Sequence, residues 1–189
     1  MKEKKVWSLI ALVWLLFSCQ GGGGGVPTTP QAAGTVSLVP SSSGPLAQGQ
    51  TFMVKILIDR IPQVFQASIR LSYDASALNL QSFQPGGFLQ KATDPPRCVG
   101  LLSAAKALPT RNVLIISASR KGRSCGNTDQ VSGEFGTLVF TTRRAVVDAT
   151  GLVAFLSDPR WIQFRDAQGR KFPVGEVNPA LTRLQLLPD

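Results

Sequence analysis

Histidine is absent from this chain of 189 residues. Because histidine is the most common general base and completes the serine triad, its absence excludes most serine and cysteine hydrolase mechanisms. Residues 122–126 match the GxSxG pattern of serine hydrolases around Ser124, but the chain offers no histidine to serve as the base. The Asp and Glu residues are scattered, mostly at predicted turns, and no pair indicates glycosidase chemistry. The composition therefore indicates a protein that is not an enzyme.

Cofactor and metal motifs are also lacking. Residues 44–51 come close to a phosphate-binding P-loop, but a glutamine replaces the lysine, and a strand pattern follows where a helix is needed. Without histidine or a CxxC pair, the sequence has no zinc pattern. A calcium site around Asp166 and the turn at Gly169 would have only one carboxylate, and Arg165 and Arg170 beside it oppose a cation. No cofactor and no metal is predicted.

Long hydrophobic runs are rare, and the one near the start, residues 6–17, is too short to span a bilayer as a helix. It follows a lysine-rich start and leads into Leu-Phe-Ser-Cys at residues 16–19. This arrangement resembles the lipobox of bacterial lipoproteins. The resemblance implies export, cleavage before Cys19 and lipid attachment to its sulfur; Gln20 implies delivery to an outer membrane if the source has one. An ordinary secretory leader with an incidental cysteine is the alternative.

The chain is thus predicted to have three parts. Residues 1–18 form a signal peptide, and residues 19–34 comprise the lipidated cysteine and a flexible tether of mainly Gly, Pro and Thr. Residues 35–189 are enough for one domain with its own core. This domain is expected outside the cytoplasm, anchored at the cell envelope on the outer membrane or the cell surface.

Cysteine is scarce, with three residues in all. Lipidation of Cys19 leaves Cys98 and Cys125, and an oxidising compartment favours a disulfide between them. The two are 27 positions apart, and closing a loop of that size stabilises a fold by about 3–4 kcal/mol in the chain-entropy description. Two free thiols are the alternative.

Acidic residues are outnumbered, because Lys and Arg total 20 against 11 Asp and Glu. In a cytosolic protein this excess would suggest nucleic acid, but an exported lipoprotein seldom meets it, and no nucleic-acid partner is predicted. Anionic glycans or lipid head groups are the charge-based alternative. A solvated basic surface without a specific ligand is the simpler interpretation.

Helical periodicity is nearly absent, and apolar residues instead alternate with polar ones. The clearest half-buried strand covers residues 65–73, and residues 52–58 alternate in the same way. Further strand candidates are residues 35–39, 78–83, 113–119, 135–142, 152–156, 161–165 and 181–187. About nine short strands predict an all-β, jelly-roll-like antiparallel sandwich. Residues 101–108 are predicted to form a short helix that Pro109 ends.

Several segments together resemble one known family. Residues 73–78, Tyr-Asp-Ala-Ser-Ala-Leu, are similar to the YDxxxL signature after the third strand of cohesin domains. Residues 49–54 resemble the entry to their second strand, residues 133–140 their G-x-x-x-x-L-x-F strand, and residues 164–170 their late D-x-x-G hairpin. The order and spacing of these segments span nearly the whole domain. The signature itself is structural, since an aspartate can accept backbone N–H bonds in a turn.

The resemblance implies a non-catalytic module that holds a dockerin-like or other protein partner through one sheet face. The expected partner-binding positions are Gln66, Ser68 and Arg70 on the wet side of the third strand, with Arg120 and Lys121 after a neighbouring strand. Well-studied members have Asn and Asp at the first two positions and acidic residues at the last two. The substitutions predict a flat basic patch that recognises an acidic partner.

Two other function classes stay open. A carbohydrate-binding module on the same fold, involved in polysaccharide binding or breakdown, could use Trp161 as a stacking platform, although core packing explains that residue equally well. A structural envelope lipoprotein needs no ligand.

Overall fold

A computed structural model describes residues 34–91, 93–172 and 183–185. Within these residues no helix is long and apolar enough to cross a membrane. The predicted signal peptide, Cys19 and the tether up to residue 33 lie outside the described residues. The predictions made for them are therefore untested by the structure.

The described part is an all-β fold of ten strands with four short 3-10 turns. The strands are β1 (Thr35–Pro40), β2 (Thr51–Asp59), β3 (Gln66–Tyr73), β4 (Leu78–Pro85), β5 (Leu101–Leu108), β6 (Val113–Arg120), β7 (Gly133–Thr142), β8 (Val153–Phe155), β9 (Ile162–Arg165) and β10 (Arg183–Gln185). All predicted strands lie in these elements within a few residues at each end. The alternation of apolar and polar residues therefore located the strands.

Two antiparallel sheets form the domain. One has the strand order β10-β1-β2-β7-β4, and the other has the order β5-β6-β3-β8, with β9 pairing the same edge of β3 as β8. On β2 and β3 every second side chain is buried. These buried sides face each other and form one core, in which Phe140 lies 6.3 Å from Phe52 and 6.2 Å from Tyr73 between ring centroids. The predicted antiparallel β-sandwich is confirmed.

The helix predicted for residues 101–108 is wrong, because this segment is strand β5. Each of its residues pairs with one on β6, from Leu101 opposite Arg120 to Leu108 opposite Val113. The segment consists mainly of Leu and Ala, which favour helices, but long-range pairing with β6 overrides this preference. Pro109 does end the element, by opening a short 3-10 turn.

The signature turn after β3 has the predicted structural role. Asp74 Oδ1 accepts hydrogen bonds from the backbone N–H groups of Ser76 and Ala77, at 2.9 and 3.1 Å. Leu78 then returns to the core with 1% exposure. The turn joins one sheet to the other, since β3 and β4 belong to different sheets.

Candidate partner-binding face

The solvent-exposed side of the sheet β5-β6-β3-β9 is the surface that was predicted from the sequence to bind a partner. Cross-strand pairs put one set of side chains on this side. We call this set the outer face; it consists of Gln66, Ser68, Arg70, Ser72, Leu102, Ala104, Lys106, Leu108, Val113, Ile115, Ser117, Ser119, Gln163 and Arg165. All of them are at least partly exposed, in contrast to their buried neighbours on β3, β6 and β9.

The three β3 residues predicted from alternation lie together on the outer face. Gln66, Ser68 and Arg70 are half-buried, while the residues between them are buried. Ser117 on β6 donates a hydrogen bond to the Ser68 hydroxyl at 3.1 Å. The predicted patch required β6 to lie next to β3, and the two strands are neighbours in this sheet.

Positively charged side chains are distributed across the outer face, and no acidic residue of this face balances them. Arg70 lies opposite Ile115, which in turn lies opposite Lys106 on the edge strand β5, and Arg165 lies at the end of β9. None of the fourteen residues of the outer face is Asp or Glu. Such a surface attracts carboxylates and repels other cations.

A shallow depression marks the part of the outer face between β3, β6 and β5. Its volume is about 220 Å³, and its lining includes Gln66, Leu102, Ala104 and Ser119. Leu102 is 59% exposed. The depression thus combines hydroxyl and amide groups with an accessible apolar side chain, a mixture found at protein interfaces.

Arg120 does not belong to the exposed patch, and its predicted role in partner binding is wrong. Only 1% of the residue is exposed, because it continues the inward-facing series of β6 after Ala118. Its guanidinium group donates to the carbonyl oxygens of Leu89 at 2.6 Å and Cys125 at 3.0 Å, and it pairs with the Asp94 carboxylate. The arginine therefore acts inside the protein.

Asp94 is the residue that sequence analysis missed here. The hydrogen bond from Arg120 lowers the pKa of the Asp94 carboxyl, and further donation from the Lys91 backbone N–H acts in the same direction, against the effect of burial. Because a buried arginine without an acid would be costly, the pair explains how Arg120 can be tolerated at this position. No sequence motif marks the pair, because its members are 26 positions apart.

Cys98 and Cys125 form a disulfide in the structure, as expected from the cysteine count. Their sulfur atoms are 2.05 Å apart and their Cα atoms 5.6 Å apart. The bond joins the loop before β5 to the loop after β6, the same two segments that Arg120 connects. Lys121 remains exposed at this point and lies beside Gly100.

Trp161, the alternative sugar-stacking residue, lies in a short 3-10 turn at the edge of the outer face and is half-buried. The Arg70 guanidinium carbon lies 4.1 Å from the centre of its ring. This cation–π contact occupies one side of the indole ring. A sugar could stack there only after displacing Arg70.

Catalytic and metal chemistry find no support in the described residues. Ser124 lies in a 3-10 turn directly before the disulfide-bonded Cys125, not on a strand-to-helix elbow. The Asp166 carboxylate accepts hydrogen bonds from the backbone N–H groups of Gln168 and Arg170, and also from Arg170 Nε. Within the described ranges no three potential ligands of types His, Cys, Asp or Glu come together.

Comparison with known proteins identifies relatives of this fold. The family model of the cohesin domain matches residues 35–143. The structure is similar to a type II cohesin domain from the cellulosome of Acetivibrio cellulolyticus, at 12% identity and TM-score 0.57, covering 79% of this chain and 94% of that one. It is also similar to type II cohesin A11 from Bacteroides cellulosolvens, at 12% identity and TM-score 0.57, covering 82% and 99%.

A third similar structure is a type I cohesin–dockerin complex from Clostridium thermocellum, at 10% identity and TM-score 0.53, covering 78% of this chain and 94% of that one. At such low identities these similarities show the fold alone. No curated protein matches the chain.

Proposed function

This chain belongs to the cohesin family, and we propose that it is an envelope-anchored member that holds an acidic protein partner through its outer face. Cohesin domains are non-catalytic protein-binding modules. The similar structures include cohesins solved in complex with dockerins. A dockerin-like module is therefore the first partner class to test.

The charge of the outer face carries the proposal. Arg70, Lys106 and Arg165 project from three different strands onto one side of the sheet, and no acid lies among the residues of that side. Exposed charges of one sign steer association with an oppositely charged surface, and the effect weakens as salt screens it over about 8 Å. The depression around Leu102 supplies an apolar contact for such an interface.

Anchoring through Cys19 is the second part of the proposal, and it is supported by the lipobox-like sequence at residues 16–19. It places the domain outside the cytoplasm at the cell envelope. Full-length protein expressed in a bacterial host should partition into detergent, and Cys19→Ser should abolish that partition. A variant that is processed normally and still partitions with detergent would refute the lipid site.

The partner is tested with the chain from residue 19 onward against a panel of purified dockerin modules and an envelope extract. Binding to the recovered partner should weaken as salt rises. Arg70→Glu with Lys106→Glu should slow association about tenfold or more while the melting temperature stays close to wild type.

The matched control is Lys55→Glu with Arg143→Glu, which changes net charge equally at exposed positions on β2 and directly after β7, both strands of the other sheet. If the control slows association as much as the outer-face variant, net charge and not this face governs binding. If the outer-face variant binds as fast as wild type, the face is wrong.

Carbohydrate binding and a purely structural envelope role are the weaker alternatives. The first depends on Trp161, one side of which is already covered by Arg70. Retardation of the chain in gels containing polysaccharide, lost in Trp161→Ala, would move carbohydrate ahead of protein as the ligand. If neither a protein nor a polysaccharide binds, the structural role is the better explanation.

A further inference from the structure

Basic residues are concentrated in the loops at one end of the sandwich. This end contains the β2–β3, β4–β5 and β6–β7 connections and the hairpin after β9. Five cations there make no ion pair among the described residues; they are Lys91, Arg97, Lys121, Arg123 and Lys171. We call this region the basic end.

The disulfide brings four of these cations together. Arg97 directly precedes Cys98, and Arg123 lies two residues before Cys125. A Cβ placed on Gly126 would lie 3.8 Å from Lys91 Nζ, and one placed on Gly100 would lie 3.5 Å from Lys121 Nζ. The lysine of each loop therefore reaches the other loop, and the charges belong to one surface.

The acids at this end are mostly engaged by other partners. Asp94 is paired with the buried Arg120, and Asp59 contacts Arg60 at 3.1 Å and accepts from the Ser132 hydroxyl. The Asp166 carboxylate is similarly paired with Arg170. Exposed Asp129 remains as a nearby acid, so five cations outnumber the free acid.

The opposite end of the sandwich has a much smaller excess. Its loops hold Arg111, Arg143 and Arg144 against Asp74 and Asp148. Arg144 and Asp74 form an ion pair at 3.1 Å, which removes one charge of each sign. The positive charge is therefore concentrated at one end of the long axis.

Exposed apolar side chains lie among the cations of the basic end. Val99, next to Cys98, is 56% exposed, and Val131, at the end of the β6–β7 loop, is 51% exposed. Basic residues interleaved with apolar ones suit the boundary between anionic lipid head groups and acyl chains. A polysaccharide would use the cations but would gain little from the valines.

The chain also leaves the domain at the basic end. Gly34 packs so closely on the β2–β3 connection that an added Cβ would lie 2.6 Å from Ile61 Cγ1. Cys19 is fifteen residues upstream, so the lipid is at most about 50 Å of extended chain away. An anchor at Cys19 is therefore attached to the domain at this end, and not at the opposite one.

We propose that the basic end docks onto the anionic head groups of the membrane that carries the anchor. This inference rests on the lipid attachment in the proposed function. In this orientation the long axis of the sandwich points outward from the bilayer. The outer face, which lies along the side of the sandwich, stays accessible to a partner. The two loops act as one platform because the disulfide and Arg120 fix them to each other.

Vesicle sedimentation tests the docking directly. The chain from residue 19 onward, with Cys19→Ser so that no lipid contributes, is mixed with phosphatidylcholine vesicles containing about 30 mol % phosphatidylglycerol, or none. We expect binding to the anionic vesicles only, and its loss at about 0.5 M salt. Arg97→Glu with Arg123→Glu should weaken it about tenfold or more.

The control is Arg111→Glu with Arg143→Glu at the opposite end, which should change vesicle binding by less than about twofold. Equal weakening by both pairs, or undiminished binding by the Arg97 and Arg123 variant, would overturn the proposal. So would equal binding to neutral vesicles, or retention by a sulfated polysaccharide in place of vesicles. Should charge reversal disturb the fold, Lys121→Gln with Arg123→Gln provides a milder variant with the same expected direction.

A negative result in this assay can be distinguished from a failure of the proposed function. It contains no lipid on Cys19, so a negative result leaves anchoring unaffected. It uses no partner, and Arg70→Glu with Lys106→Glu should retain vesicle binding if the two surfaces are independent.

Discussion

The two ends of the sandwich are held together in different ways. At the end opposite the basic end, the short β3–β4 turn is closed by hydrogen bonds between Asp74 and the next few residues, while the longer β1–β2 and β7–β8 loops are linked by backbone hydrogen bonds between Leu46 and Val146. At the basic end, the β4–β5 and β6–β7 connections are held by a disulfide and by a buried arginine that bonds to Leu89, Asp94 and Cys125 in them. Short turns can be stabilised by local hydrogen bonds, whereas long loops need long-range links.

This difference predicts unequal effects of mutation at the two ends. The buried Arg120 bonds to the Leu89 and Cys125 carbonyl groups and to Asp94, so its removal leaves several buried polar groups without a partner. The Asp74 turn is partly exposed, so water can replace the lost hydrogen bonds. We therefore expect the free energy of unfolding to respond most at the basic end.

The largest effect is expected from Arg120→Ala. Breaking a buried pair by removing one partner costs about 3–5 kcal/mol of unfolding free energy, because the other charge stays buried. Urea denaturation at neutral pH measures this change. Lys121→Ala, at the adjacent exposed position, is the control and should change stability by less than about 0.5 kcal/mol. Equal effects of the two substitutions would show that the burial of Arg120 does not matter.

The same pair makes stability depend on pH in the acid range. The pKa of Asp94 is lowered in the folded protein, mainly by the hydrogen bond from Arg120. Its contribution is therefore fully present above the unfolded pKa of about 3.9 and is lost as the pH falls through the lower folded value. Arg120→Ala should reduce the acid-induced loss of stability below about pH 4.

Removal of the disulfide is expected to have the second largest effect on the free energy of unfolding. Cys98→Ser with Cys125→Ser should lower the free energy of unfolding by about 3 kcal/mol, since the open loop gains entropy in the unfolded chain. Denaturation of this variant beside wild type measures the loss, and intact mass after alkylation without reductant should show both thiols blocked in wild type. Free thiols in protein isolated from the envelope would contradict the bond.

The disulfide and Arg120 hold the same loops, so their effects should not add. Once one link is broken the loops are already loosened, and removing the other costs less. Combining Arg120→Ala with the double serine variant should therefore lower stability by less than the sum of the separate losses. A fully additive result would mean that the two links act on independent parts of the structure.

The contrast between the ends also explains which features could be predicted from sequence. Alternating polarity located β3, and the local pattern of residues 73–78 predicted the turn that Asp74 closes, because neighbouring residues determine both. The partner of Arg120 could not be predicted in this way, since Asp94 approaches it only after β6 pairs with β5.

Three residues that were misplaced or missed show where local patterns fail. Arg120 continues the buried series of Ala118, and extending the predicted strand by one residue would have turned it inward. Lys106 on the outer face was missed because residues 101–108 resemble a helix in composition and become a strand only through pairing with β6. The cation of β9, Arg165, was assessed only as a neighbour of Asp166, since its approach to β3 depends on long-range pairing.

The smallest effect is expected at the Asp74 turn. Asp74 Oδ1 accepts from the Ser76 hydroxyl and from two backbone N–H groups, so Asp74→Ala should lower the free energy of unfolding by about 1 kcal/mol, whereas Asp74→Asn keeps an acceptor oxygen and should lose less. The pKa of Asp74 is lowered, chiefly by the Ser76 hydroxyl, so the charge-dependent difference between wild type and Asp74→Asn should vanish as the pH falls through that lower value. Urea denaturation at pH 7 and about pH 3 measures both changes. A loss from Asp74→Ala as large as that from Arg120→Ala would remove the proposed distinction between the locally bonded β3–β4 turn and the remotely linked loops of the basic end.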